Sequence, residues 1–149
     1  MLFPGGSLPL RIFETRYMDM AKACLRDGAP FGVCLIREGR EVGAPATPFD
    51  VGTLATIESW DMQQLGMLQI VARGGQRFRI HERRAQPDGL LRATVELLPD
   101  DADAGTAWRA ADELPSPLEL RQAMLELPDA RARIDLLREL ARKLSGGEP

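Results

Sequence analysis

Alternating apolar and polar residues predict several short strands in the middle of the chain. Residues 31–37 (FGVCLIR) form a mostly apolar run that is typical of a buried strand. Residues 51–60 alternate instead, with one face made of Val51, Thr53, Ala55 and Ile57. Residues 90–98 alternate in the same way, with one face made of Leu91, Ala93, Val95 and Leu97. The pattern therefore predicts strands over these three segments.

Glycine and proline place the predicted turns between these strands. Residues 67–73 and 76–83 flank Gly74-Gly75, and a type I′ hairpin turn needs positive φ at both central positions. Pro87-Asp88-Gly89 predicts a second turn. Strands joined by tight turns are antiparallel, because a parallel crossover needs a dozen or more residues. A doubly wound parallel sheet is thereby excluded.

Two regions have the spacing of helices. The first is predicted to begin at Phe13 or Glu14 and to end at Gly28, with an apolar stripe of Phe13, Tyr17, Ala21 and Cys24. Near the C-terminus, residues 116–119 (SPLE) have the pattern of a capping box, and Pro128 ends that helix. Asp129 is the predicted cap of a last helix with the stripe Ala130, Ile134, Leu137, Ala141 and Leu144.

The order of these elements predicts an α+β fold in two parts. Residues 1–99 hold two short extended pieces, one helix and about five strands, and residues 43–50 are expected to be a surface loop. Residues 100–105 (DDADAG) are acidic and small and predict a linker. Residues 100–149 are therefore expected to be a linker and C-terminal helices packed on the β-rich part.

Composition limits the possible partners and the compartment. The chain is 44% hydrophobic and 28% charged, with a net charge of −3, so no global basic field attracts nucleic acid or a membrane surface. No signal peptide or membrane-spanning run is present, and Cys24 and Cys34 are expected to be free thiols. These features predict a cytoplasmic protein.

No motif for catalysis or cofactor binding is present. The chain lacks GxxxxGK[ST], GxSxG and GxGxxG, and its one histidine, His81, lies between arginines with no serine or cysteine near it in sequence. The acidic pair at residues 100–101 lies in the predicted linker, which does not hold two carboxylates at a fixed separation. We expect no catalytic residue, no cofactor and no metal site.

Two charged clusters are candidates for binding. Residues 73–84 (RGGQRFRIHERR) form the strongest basic segment, and strand alternation predicts one outward face of Arg77, Arg79, His81 and Arg83, with Phe78 and Ile80 on the other. This face is either an ordinary solvated surface or a contact for anions or nucleic acid. The second cluster, Arg11, Glu14 and Arg16, brackets the start of the first helix, where a structural role is the alternative.

Six segments in a fixed order resemble one known family. They are residues 2–10 (LFPGGSLPL), 12–17 (IFETRY), 31–33 (FGV), 41–43 (EVG), 51–57 (VGTLATI) and 75–80 (GQRFRI). Together they resemble the N-terminal domain of Lon proteases, in its stand-alone form. The family normally has a further strand-forming segment before the Phe-Pro-Gly motif, so we expect either an upstream start or a shortened first strand. The region before the last helices also looks shorter than usual.

The resemblance implies a PUA-like antiparallel β pseudo-barrel with one inserted helix, followed by a small C-terminal helical part. It also implies a non-catalytic module that binds unfolded or extended polypeptide, with a protease or chaperone as partner. An RNA-binding PUA-like module and a purely structural or oligomerisation domain are the alternatives. The binding candidates are Arg11, Glu14, Arg16, Arg77 and Arg79.

Overall fold

The structure is a computed structural model that describes residues 1–38, 47–100 and 104–146. Its elements are β1 (Ser7–Ile12), α1 (Thr15–Asp27), β2 (Phe31–Val33), β3 (Ile36–Glu38), β4 (Thr47–Pro48), β5 (Val51–Gln64), β6 (Met67–Ala85), β7 (Leu91–Leu97), α2 (Ala104–Glu113), α3 (Leu118–Glu126) and α4 (Ala130–Leu144). All the strand pairs are antiparallel, and α1 lies in sequence between β1 and β2. The predicted α+β class with an antiparallel β structure is confirmed.

One long strand organises the sheet. β6 is 19 residues long, and β5 pairs along one of its sides. On β6, β1 pairs with residues 68–73 and β7 with residues 78–85, while β2 pairs with β5. β3 and β4 form a separate two-stranded ladder, so the predicted single strand 31–37 is divided. Residues 47–48 of the predicted loop are strand, and its residues 43–46 lie outside the described residues.

The predicted hairpin at Gly74-Gly75 was wrong. Both glycines lie inside β6 without positive φ, and the turn between β5 and β6 is instead at Leu65-Gly66, where Gly66 has a φ of 80°. A Cβ atom on Gly74 would overlap the carbonyl oxygen of Phe3, and the Gly74 N–H donates to the Gly6 carbonyl at 2.9 Å. Gly74 is therefore needed because the N-terminal turn crosses the strand at that point.

The helix boundaries agree with the sequence in part. Gly28, with a φ of 64°, ends α1, and the Asp129 side chain accepts from the Ala132 N–H at 2.8 Å, so both predicted signals are confirmed. The predicted capping box was wrong, because Pro117 is the cap residue of α3 and the Ser116 hydroxyl points back to the Leu114 carbonyl at 3.5 Å. Proline at the cap position holds the extended backbone without help from a side chain.

Two apolar cores stabilise the fold. The first lies between the sheet and α1, with Met18, Ala21, Leu68 and Ile70 among its buried residues. The second joins the N-terminal turn and β5 to the three C-terminal helices; its buried residues are Phe3, Val51, Trp108, Ala111, Met124, Leu125 and Leu137. Residues 101–103 of the predicted linker lie outside the described residues, and α2 begins directly after them. Among the described helices, none is long and apolar enough to cross a membrane.

Candidate functional site

Arg77 does not lie on the outer face of the sheet, and that prediction was wrong. Its side chain is 2% exposed and its guanidinium donates to the carbonyls of Leu125, Leu127 and Pro99 at 2.9, 3.0 and 3.1 Å. The register of β5 and β6 shifts between Thr53 and Ala55, opposite this part of β6, so strict alternation fails there. Arg77 therefore joins the sheet to the C-terminal helices.

A tryptophan between two arginines completes this junction. The Arg77 guanidinium carbon lies 5.3 Å from the centre of the Trp108 ring, and that of Arg133 lies 3.9 Å from it. Arg133 is fully buried and donates to the Leu127 carbonyl at 2.8 Å. Such cation–π contacts are strongest where water is excluded.

Glu14 and Arg16 form an ion pair at the start of α1. Their side-chain atoms are 3.3 Å apart, and Arg16 is 6% exposed. Arg16 also donates to the Gly89 carbonyl at 2.9 Å, in the turn between β6 and β7. The pair therefore connects the helix to that turn.

Arg11 and Arg79 are exposed and lie at different parts of the sheet. Arg11 is opposite Gln69 in the β1–β6 ladder, while Arg79 is opposite Val51 and Glu96. The structure thus brings Glu14 and Arg16 together but does not gather the five predicted residues into one site.

Three exposed apolar side chains, whose exposure the sequence analysis did not predict, lie towards one end of the sheet. Leu65 in the β5–β6 turn is 99% exposed, Trp60 on β5 is 59% exposed, and Phe13 after β1 is 56% exposed. We call these three residues the apolar end. Because the sequence analysis placed the hairpin turn at Gly74-Gly75, it did not predict a turn at Leu65-Gly66. Gly66, which lies between two alternating runs, was the signal that could have located that turn.

Strand register places these three residues near the same end of the sheet. Gln64 is opposite Met67 beside the turn, and Ile12 is opposite Leu68, so Phe13 follows β1 next to the turn. Trp60 is opposite the buried Ile70. The apolar end is therefore exposed apolar surface near one end of the sheet, suited to contact with apolar side chains of another molecule.

A cleft of about 610 Å³ lies between the N-terminal turn, the Gly74-Gly75 segment and α2. Arg73, Arg109 and Asp112 are among its lining residues, and Asp112 already pairs with Arg121 at 3.0 Å. In the described part of the chain, no group of three or more His, Cys, Asp or Glu residues is arranged to hold a metal ion.

Neither cysteine has the properties of a nucleophile. Burial raises the pKa of the Cys34 thiol to about 11, with a smaller contribution from the Asp50 carboxylate. Burial also raises the pKa of Cys24, with help from Asp27. Since the thiolate is the reactive form, both side chains are largely unreactive thiols near neutral pH.

Comparison with protein families gives one match over most of the chain. Residues 1–110 match the model of the ATP-dependent protease La (LON) substrate-binding domain. Over 103 residues, 67% of the chain, it is 32% identical to cereblon from Danio rerio and covers 23% of that protein. It is 34% identical over 139 residues, 89% of the chain, to Lon protease 1 from Bdellovibrio bacteriovorus, of which it covers 17%. The chain thus spans about a fifth of the length of these relatives.

Solved structures give the same fold. A Lon N-terminal domain protein from Xanthomonas campestris superposes with a TM-score of 0.83 at 31% identity, covering 93% of this chain and 92% of that one. The N-terminal domain of a Mycobacterium avium complex Lon protease superposes with a TM-score of 0.65 at 15% identity, covering 94% and 91%.

Proposed function

Because the chain belongs to the family of the LON substrate-binding domain, we propose that it is a non-catalytic module that binds unfolded or extended polypeptide segments. The observation that carries the proposal is the apolar end, where Phe13, Trp60 and Leu65 are all more than half exposed. Unfolded segments differ from folded proteins in presenting apolar side chains, and burying such surface contributes about 25 cal/mol per Å². Contact at this end is therefore favourable for unfolded chains.

The other parts of the proposal are the partner and the compartment. The family is named for substrate binding and the relatives include whole Lon proteases, which supports delivery of the bound segment to a protease or chaperone. Both cysteines are free, as is usual in reducing compartments, so the cytoplasm is the proposed location.

The proposal is tested by fluorescence anisotropy with a labelled, permanently unfolded polypeptide that is rich in apolar residues and free of acidic ones. Saturable binding that survives added salt is expected, because burial of apolar surface is not screened. Leu65→Ser combined with Trp60→Ser is expected to weaken binding about tenfold, equivalent to about 1.4 kcal/mol.

Leu144→Ser is the matched control, because Leu144 is also exposed but lies at the end of α4. It should leave the affinity unchanged. No saturable binding, or the same loss in the control as in the apolar-end variant, would overturn the proposal.

A further inference from the structure

The second half of β6 and the whole of β7 form a hairpin whose strands contribute no residue to either core. We call residues 79–85 and Leu91–Leu97 the β6–β7 arm. Six of the seven β7 residues are exposed and Val95 is half-buried. Within the described ranges β7 pairs with β6 alone. Among the described residues, therefore, no strand pairs with the outer edge of β7.

The backbone groups of this edge can be assigned from the hydrogen bonds of the hairpin. The Gln86 N–H donates to the Leu90 carbonyl at 2.8 Å, next to the turn. Since bonded and non-bonded pairs alternate in an antiparallel ladder, the Arg83–Ala93 pair is non-bonded. The N–H and C=O groups of Ala93 then point outward, away from β6. No described residue outside the hairpin bonds to them, so they can bond to an added strand.

The charges on the arm are not balanced. Arg84 lies directly opposite Arg92, an arrangement of like charges that destabilises a strand pair. Neither arginine forms an ion pair with any described residue. The nearby Asp88 carboxylate accepts from the Leu90 N–H at 2.9 Å, and Glu96 contacts His81 at 3.2 Å. Glu82 is opposite Thr94, on the same face as the two arginines, but it forms no ion pair with any described residue. An anionic group from outside the arm would offset the repulsion between the two arginines.

The arm offers alternating surfaces to an added strand. One face of β7 carries Leu91, Ala93, Val95 and Leu97, while Arg92 lies on the opposite face. Residues 79–97 contain no Phe, Tyr or Trp, so the arm lacks the rings on which single-stranded nucleic acids usually stack. An extended polypeptide fits these features better than RNA does.

We infer that the free edge of β7 takes an extended acidic segment of a polypeptide as an additional strand. Main-chain hydrogen bonds to the outward groups of Ala93 hold the segment, and an Asp or Glu side chain lies against Arg84 and Arg92. This site is separate from the apolar end. The inference rests on the proposed function only because both take polypeptide as the ligand. It adds that the segment bound at β7 is acidic.

The test uses the full chain and a labelled peptide of about seven residues that alternates valine with glutamate. A peptide that alternates valine with lysine, and a single-stranded RNA, are the comparison ligands. The glutamate peptide is expected to bind at least about tenfold more tightly than the lysine peptide, with an affinity that falls as salt rises.

Two substitutions separate the backbone contact from the charge contact. Ala93→Pro removes an outward N–H that does not bond to β6, and it is expected to lower the affinity for the glutamate peptide about tenfold. Ala93→Val keeps that N–H and is the control. Arg84→Gln with Arg92→Gln is expected to give a similar loss. Both arginines are exposed, so this variant remains informative if the proline variant fails to fold by circular dichroism.

The outcomes also separate this site from the apolar end. Leu65→Ser with Trp60→Ser should leave binding of the glutamate peptide unchanged, whatever it does to the unfolded polypeptide without acidic residues. Equal affinity for the two peptides would overturn the inference, as would full binding to the Arg84→Gln, Arg92→Gln variant. RNA binding that the arginine variant abolishes, without peptide binding, would assign the arm to nucleic acid instead.

Discussion

At the scale of single residues, Arg77 shows how a buried charge becomes part of the framework. Removing a guanidinium from water is costly, and only several hydrogen bonds offset that cost. Arg77 donates to three backbone carbonyls, which belong to Leu125, Leu127 and Pro99. Loss of the side chain would remove the donor from all three carbonyls.

We therefore expect Arg77→Met to lower the free energy of unfolding by about 3 kcal/mol. Arg79→Met is the matched control, because Arg79 is exposed two residues away, and it should change stability by less than about 0.5 kcal/mol. Urea denaturation followed by circular dichroism measures both. Equal effects of the two substitutions would contradict the structural role given to Arg77.

The pKa of Cys34 predicts how stability changes at alkaline pH. Burial raises it from 9.0 to about 11, so the unfolded chain loses this proton at lower pH than the folded protein. The favourable contribution of the neutral thiol is fully present below pH 9 and is lost as the pH rises through about 11. The free energy of unfolding should fall more steeply over this window in the parent protein than in Cys34→Ala. Parallel curves in urea titrations would contradict the raised pKa.

At the scale of elements, Gly74 and Gly75 provide a matched test of how the N-terminal turn crosses β6. Gly74→Ala places a Cβ against the Phe3 carbonyl, while a Cβ at Gly75 would meet its nearest atom, the Leu54 carbonyl oxygen, at 3.5 Å. Gly74→Ala is expected to cost about 1–3 kcal/mol of stability through overpacking, and Gly75→Ala much less. Thermal unfolding of both variants measures the difference. A larger loss of stability in Gly75→Ala than in Gly74→Ala would contradict the close approach of the N-terminal turn to Gly74.

Helix caps give a second comparison within the C-terminal part. The Asp129 side chain bonds to the Ala132 N–H, whereas the Ser116 hydroxyl makes no bond to the start of α3. Asp129→Ala should therefore cost about 1 kcal/mol, and Ser116→Ala a few tenths at most. Equilibrium denaturation of the two variants measures the difference. If Ser116→Ala lowered the free energy of unfolding as much as Asp129→Ala, Ser116 would have to cap α3 after all.

At the scale of the whole molecule, the two cores are linked through the N-terminal turn. Phe3 stacks on Trp108 with ring centres 5.5 Å apart, while its neighbour Leu2 belongs to the first core. The N-terminal turn therefore contacts both the sheet and the helical part, and some of its contacts would be lost if either part unfolded. This arrangement favours cooperative unfolding.

A single tryptophan reports on this cooperativity. In Trp60→Phe the buried Trp108 is the one remaining tryptophan, so its fluorescence follows the junction between sheet and helices. Its thermal midpoint should coincide with that of far-ultraviolet circular dichroism, which follows the whole fold. An earlier fluorescence transition would mean that the helical part separates before the sheet unfolds.

The features that depend on local chemistry could be predicted from the amino-acid sequence. Alternation placed the strand from Leu91 to Leu97, Gly28 ended the first helix, and Asp129 capped the last one, because each of these depends on neighbours within a few residues. The ordered Lon-like segments indicated the family, which the match over residues 1–110 confirmed.

Which residues are exposed and available for a site depends instead on contacts between segments far apart in the chain. Gly74 is inside a strand because a distant segment, at Phe3, crosses it, and Arg77 is buried because helices from the end of the chain cover it. Contacts between residues far apart in sequence leave no local pattern. For the same reason the exposure of Trp60 and Leu65 could not be predicted from the sequence. Alternation indicates the two faces of a strand, but it does not indicate which part of the strand other elements cover.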